Sequence, residues 1–336
     1  MKNFFILCCL WIACCAISAQ EPCPQVIPAL QQWKGGSGKL ALPAEGNIVV
    51  NPADEAVLLS TAEILADDLS LMMGWNYSVK IGKPGKNDIY MALMKPDKEL
   101  GDEGYKLSVN RYAGIEAPTR KGVFWGTRTL LQMLYKQQGK ISKGTARDFP
   151  LFPNRGFMID AGRKFFTLDY LKQYVKILSF YKMNEFQIHL NDNGFPQFFD
   201  NDWNKTYAAF RLESERFPGL TAKDGSYTKK EFTDLQRLGM EYGVNVIPAH
   251  SLAFTHYKPE IGSKEYGMDH LDLYKEETYR FVDSLLDEYI GGENPVFIGP
   301  DVHIGTDEYN KKEAEQYRYF TDRYLKYIEK YGKTPR

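Results

Sequence analysis

The sequence predicts an α/β protein in which a small α+β domain precedes part of a (β/α)8 TIM barrel. The 336 residues include 43% hydrophobic and 25% charged residues, a balance ordinary for a globular chain with room for two domains. Strand-like and helix-like segments are mixed before about residue 150. After Pro153, apolar strand-like runs alternate with longer helical patterns, which indicates a parallel sheet with helical crossovers.

The amino terminus predicts an export signal. Lys2 supplies a positive charge, residues 4–17 are apolar, and Ile17-Ser-Ala19 resembles a cleavage site, so residues 1–19 are expected to be removed. The apolar run is too short for a comfortable membrane span. Ile12-Ala-Cys14 offers a rival lipoprotein site. Both readings predict an exported protein, periplasmic or extracellular, with a lipid-anchored form left open.

Charge and cysteine content exclude several classes of function. Lys and Arg total 42 against 43 for Asp and Glu, which gives no electrostatic reason to expect nucleic acid or an anionic membrane as a partner. Cys23 alone remains after the expected cleavage. A single cysteine forms neither an internal disulfide nor a thiolate metal cluster.

The first domain is predicted over residues 24–150 as an α+β unit. Alternating or β-branched runs predict its strands, and apolar residues at helical spacing predict its helices. These elements are strands at Asn47–Val50, Asp88–Leu93 and Tyr105–Val109, and helices at Glu55–Met73 and Val123–Tyr135. The segment 139–153 is polar and punctuated by turn residues, so the domain boundary is placed there.

The second domain, residues 151–336, is predicted to contain four strand–helix units. The strands are Gly156–Ile159, Glu185–Leu190, Val244–Ile247 and Val302–Gly305, and the helices are Leu168–Tyr181, Lys229–Tyr242, Tyr274–Tyr289 and Lys311–Tyr331. No glycine-rich phosphate loop follows a strand, which disfavours a dinucleotide-binding sheet. A closed barrel needs eight units, so the chain is expected to supply half of one.

Polar residues follow each of these strands. They are Asp160 and Arg163 after the first, His189 and Asp192 at the end of the second, His250 after the third, and Asp307 with Glu308 at the end of the fourth. Reactive groups at the carboxyl ends of successive strands are typical of barrel enzymes. An isolated Asp-Glu pair is more often a solvated loop. However, a protonated acid beside an ionised carboxylate is also what glycoside cleavage requires.

Three motifs give these residues a family resemblance. Pro153-Asn-Arg-Gly-Phe-Met-Ile-Asp160, Tyr181-Lys-Met-Asn-Glu-Phe-Gln-Ile-His-Leu-Asn-Asp192 and His303-Ile-Gly-Thr-Asp-Glu308 together resemble glycoside hydrolase family 20, the β-N-acetylhexosaminidases. The segment from Glu103 to Leu134 also resembles the small domain that precedes that family's barrel. The resemblance covers residues 25–336 and implies the first half of the catalytic barrel.

The resemblance also implies a mechanism. Glu308 would be the general acid/base, and Asp307 would hold the acetamide N–H while the substrate's own acetamido oxygen attacks to form an oxazolinium ion. Arg155 would bind the 3- and 4-hydroxyls of the terminal sugar. Asp192 and His250 would form a pair that supports the acid/base. The implied substrates are N-acetylhexosamine-terminated oligosaccharides or glycoconjugates, with no cofactor and no metal.

Two departures from the family pattern lead to further expectations. The stretch Val246-Ile-Pro-Ala-His250 lacks about five residues that the family carries before its histidine, which would shift His250 or tuck it into the core. A half-barrel would expose strand edges, so self-association through the open edge is expected. Two alternatives to the hydrolase stay open. One is a catalytically silent sugar-binding protein of the same fold, and the other is a metal-dependent hydrolase using His250, His303 and Asp307, which the lack of HxxH or HxH spacing disfavours.

Overall fold

The structure, a computed structural model, describes residues 20–192, 197, 200–202, 210–250, 254, 256–264, 267–306 and 309–336. The predicted export signal therefore lies outside the described residues. The chain divides between Pro150 and Leu151 into two compact units, which are described separately below. Within the described residues, no helix combines the length and the apolar character that crossing a bilayer requires.

The first unit is built on a seven-stranded mixed sheet. Its strands are β1 (Gln32–Ala41), β2 (Glu45–Val50), β3 (Asn76–Ile81), β4 (Ile89–Leu93), β5 (Tyr105–Val109), β6 (Ala113–Ala117) and β7 (Lys140–Asp148). Their order across the sheet is β1-β7-β5-β6-β4-β2-β3. In this sheet β1, β7, β5 and β6 pair antiparallel with their neighbours, whereas β6, β4, β2 and β3 pair parallel.

Two helices, α1 (Glu55–Met73) and α2 (Arg120–Lys136), pack on this sheet and on each other. Helix α1 has the bounds that its apolar periodicity predicts, and it ends at Gly74, whose φ of 67° is a left-handed conformation open to glycine. The helices are tied together by a buried ion pair between Arg128 and Asp68, and the Arg128 guanidinium also lies over the Phe124 ring. This unit confirms the predicted α+β class.

Strand β7 occupies residues 140–148 of the polar segment 139–153, and the chain divides after Pro150, inside that segment. The segment is polar in sequence because, apart from Ile141, its buried positions carry small or polar side chains. Those polar groups are satisfied: the Ser142 hydroxyl donates to Glu21 at 2.9 Å, and Asp148 accepts from the Tyr105 hydroxyl at 2.6 Å.

The second unit is part of a parallel barrel. Strands β8 (Gly156–Asp160), β9 (Glu185–His189) and β10 (Asn245–Ala249) pair in parallel in the order β10-β9-β8. A parallel bridge between Ala249 and His303 extends the ladder towards β13 (Asp301–Val302), which pairs in parallel with β14 (Thr334–Pro335). The short hairpin of β11 (Gly262–Ser263) and β12 (Gly267–Leu271) lies outside this ladder.

Four helices follow the first four barrel strands: α3 (Leu168–Phe180), α4 (Lys229–Glu241), α5 (Glu276–Ile290) and α6 (Ala314–Lys330). Each begins and ends within a few residues of its predicted bounds. Thr167 and Thr228 cap α3 and α4, and Thr228 forms a reciprocal capping box with Glu231. The predicted four strand–helix units of a partial barrel are confirmed.

Side-chain alternation separates the two faces of this sheet. Phe157 and Phe186 stack with Tyr174 of α3, so the odd positions of β8 and the even positions of β9 face the helix layer. Asp160 and His189 consequently face the opposite side, which is the barrel interior. Met158 also lies on the interior face and is 53% exposed.

Candidate functional site

A polar cluster occupies the carboxyl ends of β8 and β9. The Arg163 guanidinium donates to Asp160 Oδ2 at 2.7 Å and lies 2.8 Å from Asp192 Oδ2. His189 Nε2 lies 2.9 Å from the same Asp192 oxygen, so this nitrogen carries a proton that it donates to the carboxylate. Strand alternation therefore delivers groups from two successive strands to one place, as the sequence predicts for Asp192.

The backbone brings the two strand ends close together. Asp160 is in register with His189, and the N–H groups of Ala161 and Gly162 both donate to the His189 carbonyl, at 2.9 and 3.0 Å. A Cβ at Gly162 would lie 2.7 Å from the carbonyl carbon of Asn191, so only glycine allows this approach. The loop after β8 thus rests directly on the loop that carries Asp192.

Arg155 does not reach this cluster. It precedes β8, and its backbone carbonyl accepts from Asn184 at the amino end of β9. Its guanidinium donates to the carbonyls of Lys182 and Phe152 at 2.7 and 2.8 Å. A five-residue parallel strand separates the two ends by roughly 16 Å. These contacts tie Arg155 to loops at the amino end of the barrel, and its expected sugar-binding role stays a prediction.

His250 is tucked into the core, which is one of the two outcomes expected from the shortened segment before it. The residue is 4% exposed, and its ring packs against Phe210, Tyr289 and Phe297 with centroid distances of 5.5 to 6.3 Å. Val246 lies four residues earlier in the chain and therefore on the same face of β10. A Cβ added at Gly239 of α4 would lie 2.7 Å from Val246 Cγ2, so this face of β10 packs against the helices. The expected pair of His250 with Asp192 is therefore not formed, because the two side chains lie on opposite faces of the sheet.

Burial governs the chemistry of His250. Within the described part of the chain, neither ring nitrogen has a hydrogen-bond partner. Desolvation, and then the nearby imidazoles of His189 and His303, lower the pKa of His250 to about 3. The ring is consequently neutral at physiological pH and acts as a packing group.

The fourth strand end carries His303 to the same edge. The His303 N–H donates to the Pro248 carbonyl at 2.9 Å, and its own carbonyl accepts from the His250 N–H at 3.2 Å. The Gly305 N–H donates to His303 Nδ1 at 3.0 Å, in a turn where Gly305 has a φ of 58°. Asp307 and Glu308 follow this turn in the sequence and lie outside the described residues.

The sequence places Arg163 after the first barrel strand without giving it a role, and it does not single out Arg211. Arg163 lies beside Asp192. Its position three residues after the end of β8 was the feature of the sequence that could have indicated this placement. Arg211 belongs to no motif, and its buried contacts with the loop after β8 become visible only in the folded chain.

This edge suits a polar, uncharged ligand with several hydroxyl groups. Arg163 is 34% exposed, while Asp160 and Asp192 are 28% and 16% exposed, so a planar donor and carboxylate acceptors border the interior. Among the described residues, no cluster of three or more His, Cys, Asp or Glu side chains has the geometry to hold a metal ion.

Two consecutive parts of the chain match two domains of one family. Residues 23–149 match "Glycosyl hydrolase family 20, domain 2", and residues 152–327 match "Glycosyl hydrolase family 20, catalytic domain". The β-hexosaminidase of Porphyromonas gingivalis is 26% identical over 90% of this chain, and the lacto-N-biosidase of Bifidobacterium bifidum is 27% identical over 85% of it. These alignments cover 42% and 24% of the two relatives, so the chain spans less than half of either.

Solved structures agree. The N-acetyl-β-hexosaminidase of Streptomyces plicatus, in complex with Thio-NAglucal, superposes with a TM-score of 0.76 at 26% identity, covering 94% of this chain and 66% of that one. The β-N-acetylhexosaminidase of Bacteroides fragilis gives a TM-score of 0.71 at 21% identity, covering 92% and 65%, a likeness of fold. With more than half of its length matched to the family's catalytic domain, this chain belongs to glycoside hydrolase family 20.

Proposed function

We propose that this protein is an exported, exo-acting β-N-acetylhexosaminidase that removes terminal GlcNAc or GalNAc with retention. The observation that carries the proposal is the edge where Asp160, Arg163 and Asp192 meet, because the strand that leads into the Asp307-Glu308 motif runs to the same edge. The comparisons support the substrate class, since the Porphyromonas gingivalis relative is named a β-hexosaminidase and the Streptomyces plicatus hexosaminidase structure holds Thio-NAglucal.

The roles divide between the two groups of residues. Glu308 protonates the leaving glycosidic oxygen and later activates water. Asp307 orients the 2-acetamido group, whose oxygen attacks the anomeric carbon to give an oxazolinium ion, so no enzyme nucleophile is needed. Arg155 binds the 3- and 4-hydroxyls of the terminal sugar, as the family motif implies, and Arg163 adds a guanidinium at the interior edge that can donate to sugar hydroxyls.

The test is release of 4-nitrophenol from 4-nitrophenyl N-acetyl-β-glucosaminide by wild type and Glu308→Gln. We expect a loss of about 10²- to 10⁴-fold in turnover, the usual worth of a general acid–base group. Glu329→Gln, an exposed glutamate on α6, is the matched control. The corresponding β-glucoside, which lacks the acetamide, should not be cleaved. Unchanged turnover by Glu308→Gln would refute the assignment.

A second candidate is a sugar-binding protein of the same fold without catalysis. The observation that favours it is the burial of His250, which removes the imidazole expected to support Glu308. Calorimetric titration with GlcNAc separates the two candidates. Saturable binding without release of 4-nitrophenol supports the binding protein, and hydrolysis that depends on Glu308 rules it out.

The open edge of β8 supports self-association as part of the proposal. Only β9 pairs with β8 among the described strands, and the interior residue Met158 and its neighbour Phe157 are 53% and 41% exposed. Exposed strand edges with apolar side chains recruit further strands.

A further inference from the structure

We infer that Arg211 is a positioning residue of the proposed sugar site, which it serves by fixing the backbone of Ala161 and Gly162. The inference rests on the proposed function, because the site it serves is the edge built by Asp160, Arg163 and Asp192. Arg211 is 1% exposed and has no direct place in the chemistry.

All five N–H donors of the Arg211 guanidinium are used. Nε donates to the Ala161 carbonyl at 2.7 Å, and one Nη2 hydrogen bond goes to the Gly162 carbonyl at 2.9 Å. Nη1 donates to the Gly225 carbonyl at 2.8 Å and to Asp224 Oδ1 at 2.5 Å. The remaining Nη2 donor lies 3.3 Å from Asp224 Oδ2. A buried charge with every donor satisfied holds its partners in one geometry.

The Arg211 backbone anchors this clamp to the neighbouring strand. Its N–H donates to the Leu190 carbonyl, directly after β9, at 2.8 Å, and its carbonyl accepts from the Tyr227 N–H at 2.7 Å. Arg211 therefore joins the loop after β8, through its side chain, to the end of β9, through its main chain. These are the two segments that carry Arg163 and Asp192.

Aromatic contacts extend the clamp along the same loop. The Tyr227 hydroxyl donates to the Phe166 carbonyl at 2.6 Å, and the Tyr227 and Phe165 rings lie 5.4 Å apart. Gly225 has a φ of 148°, and a Cβ there would lie 2.4 Å from the Phe165 ring. The loop 161–166 is thus held on both sides of Arg163 by the segment 211–227.

Lysine cannot replace this arrangement. Its ammonium is a single point with three donors, whereas the acceptors of Arg211 belong to three carbonyls and a carboxylate arranged around a plane. In Arg211→Lys the carbonyls of Ala161 and Gly162 lose fixed partners, and the loop that presents Arg163 gains freedom. Misplacement of a binding group by about 1 Å can cost on the order of 100-fold in a reaction that depends on it.

The experiment compares wild type, Arg211→Lys and the control Arg237→Lys, an exposed arginine of α4 that pairs with Asp234. Two readouts are taken: KM and kcat for 4-nitrophenyl N-acetyl-β-glucosaminide, and amide hydrogen exchange of residues 161–166. We expect Arg211→Lys to raise KM at least about tenfold and to speed exchange in that segment, with the control unchanged in both. A merely structural role would instead lower the active fraction, which reduces the apparent kcat and leaves KM as in wild type.

A wild-type KM in folded Arg211→Lys overturns the inference, and so does an unchanged exchange rate at residues 161–166. Should that variant not fold by circular dichroism, Asp224→Asn carries the same test: Asp224 is half-exposed, and its carboxylate holds Nη1 and Nη2 of Arg211 in the orientation from which the guanidinium reaches the Ala161 and Gly162 carbonyls. We expect Asp224→Asn to raise KM severalfold, and wild-type values again overturn the inference. A wild-type chain that neither cleaves the glycoside nor binds GlcNAc refutes the proposed function, and the exchange data then show separately whether the clamp exists.

Discussion

Burial of the His250 imidazole predicts a specific dependence of stability on pH. Burial lowers the pKa of this group to about 3, whereas the unfolded chain has the ordinary value near 6.5. Above pH 6.5 neither state is protonated, so the contribution to stability is fully present. As the pH falls below 6.5, only the unfolded state takes up the proton, and stability is lost progressively until the folded pKa is reached.

The magnitude follows from the same two values. Each pH unit between them is worth about 1.4 kcal/mol, so lowering the pH from 8 to 5 should cost about 2 kcal/mol through His250 alone. Continuing to about pH 3 should cost roughly 4 kcal/mol. For a domain of this size, about 2 kcal/mol corresponds to a fall in Tm of roughly 4 to 8 °C.

The assay is urea unfolding, followed by far-UV circular dichroism at pH 8, 7, 6 and 5, of wild type, His250→Leu and Phe210→Leu. Other groups titrate in this range, so the quantity of interest is the difference between wild type and His250→Leu at each pH. That difference should shift by about 2 kcal/mol in favour of the variant from pH 8 to pH 5. Phe210→Leu perturbs the same packing without a titratable group, so its difference from wild type should be independent of pH. A difference for His250→Leu that is equally flat would show that the imidazole is accessible to protons in the folded state, and the argument from burial would be refuted.

Three further substitutions test other parts of the fold and site. Asp68→Asn removes the carboxylate that neutralises buried Arg128, so we expect a loss of about 3 to 5 kcal/mol in the free energy of unfolding by urea titration. Gly162→Ala places a Cβ 2.8 Å from the Asp192 backbone nitrogen, so the affinity for GlcNAc, measured by calorimetry, should fall at least about tenfold. Met158→Lys puts a charge on the open interior face, and sedimentation velocity should show less self-association than in wild type.

Matched controls separate these effects from general damage. Asp322→Asn breaks an exposed pair with Lys326 and should leave the free energy of unfolding close to that of wild type. An equally small effect of Asp68→Asn would contradict the buried-pair argument. Gly156→Ala lies at the start of β8, the strand before the loop of Gly162, where the added Cβ comes no closer than 3.4 Å to Glu185, and this variant should bind GlcNAc as wild type does. Met240→Lys alters an exposed methionine on α4. If this variant sedimented as Met158→Lys does, self-association through the open edge of β8 would be refuted.

Much of the architecture could be predicted because apolar periodicity is local. Helix α1 has the bounds that the spacing of its apolar residues predicts, and strand β5 matches its predicted alternation residue for residue. Strand β7 could not be found this way, because its buried face carries Ser142, Gly144 and Asp148, whose fit depends on hydrogen bonds to distant strands. Apolar periodicity does not predict a strand whose buried positions are occupied by polar side chains with hydrogen-bond partners.

The direction of the chain determines at which end of β8 Arg155 and Arg163 lie. In a parallel ladder, a residue before a strand lies at the amino end and a residue after it lies at the carboxyl end, so Arg155 and Arg163 are separated by the full length of β8. Arg163 meets Asp160 and Asp192 at the carboxyl ends of two strands. The family motif implies a sugar-binding role for Arg155, and that role stays a prediction.

The fate of His250 depended on something that no periodicity reports, namely how far β10 continues. The ladder persists through Ala249, and the His250 N–H still bonds to His303, so His250 keeps the strand's alternation and shares a face with Val246 and Pro248. That face meets the helices, and an imidazole there is buried whatever its chemistry. A longer segment before the histidine would have released it from the ladder and allowed it to turn towards the interior edge. Catalysis by this chain would therefore depend on Glu308 acting without an imidazole from β10, which makes the acid limb of its pH–rate profile the quantity that distinguishes this chain from a relative with the longer segment.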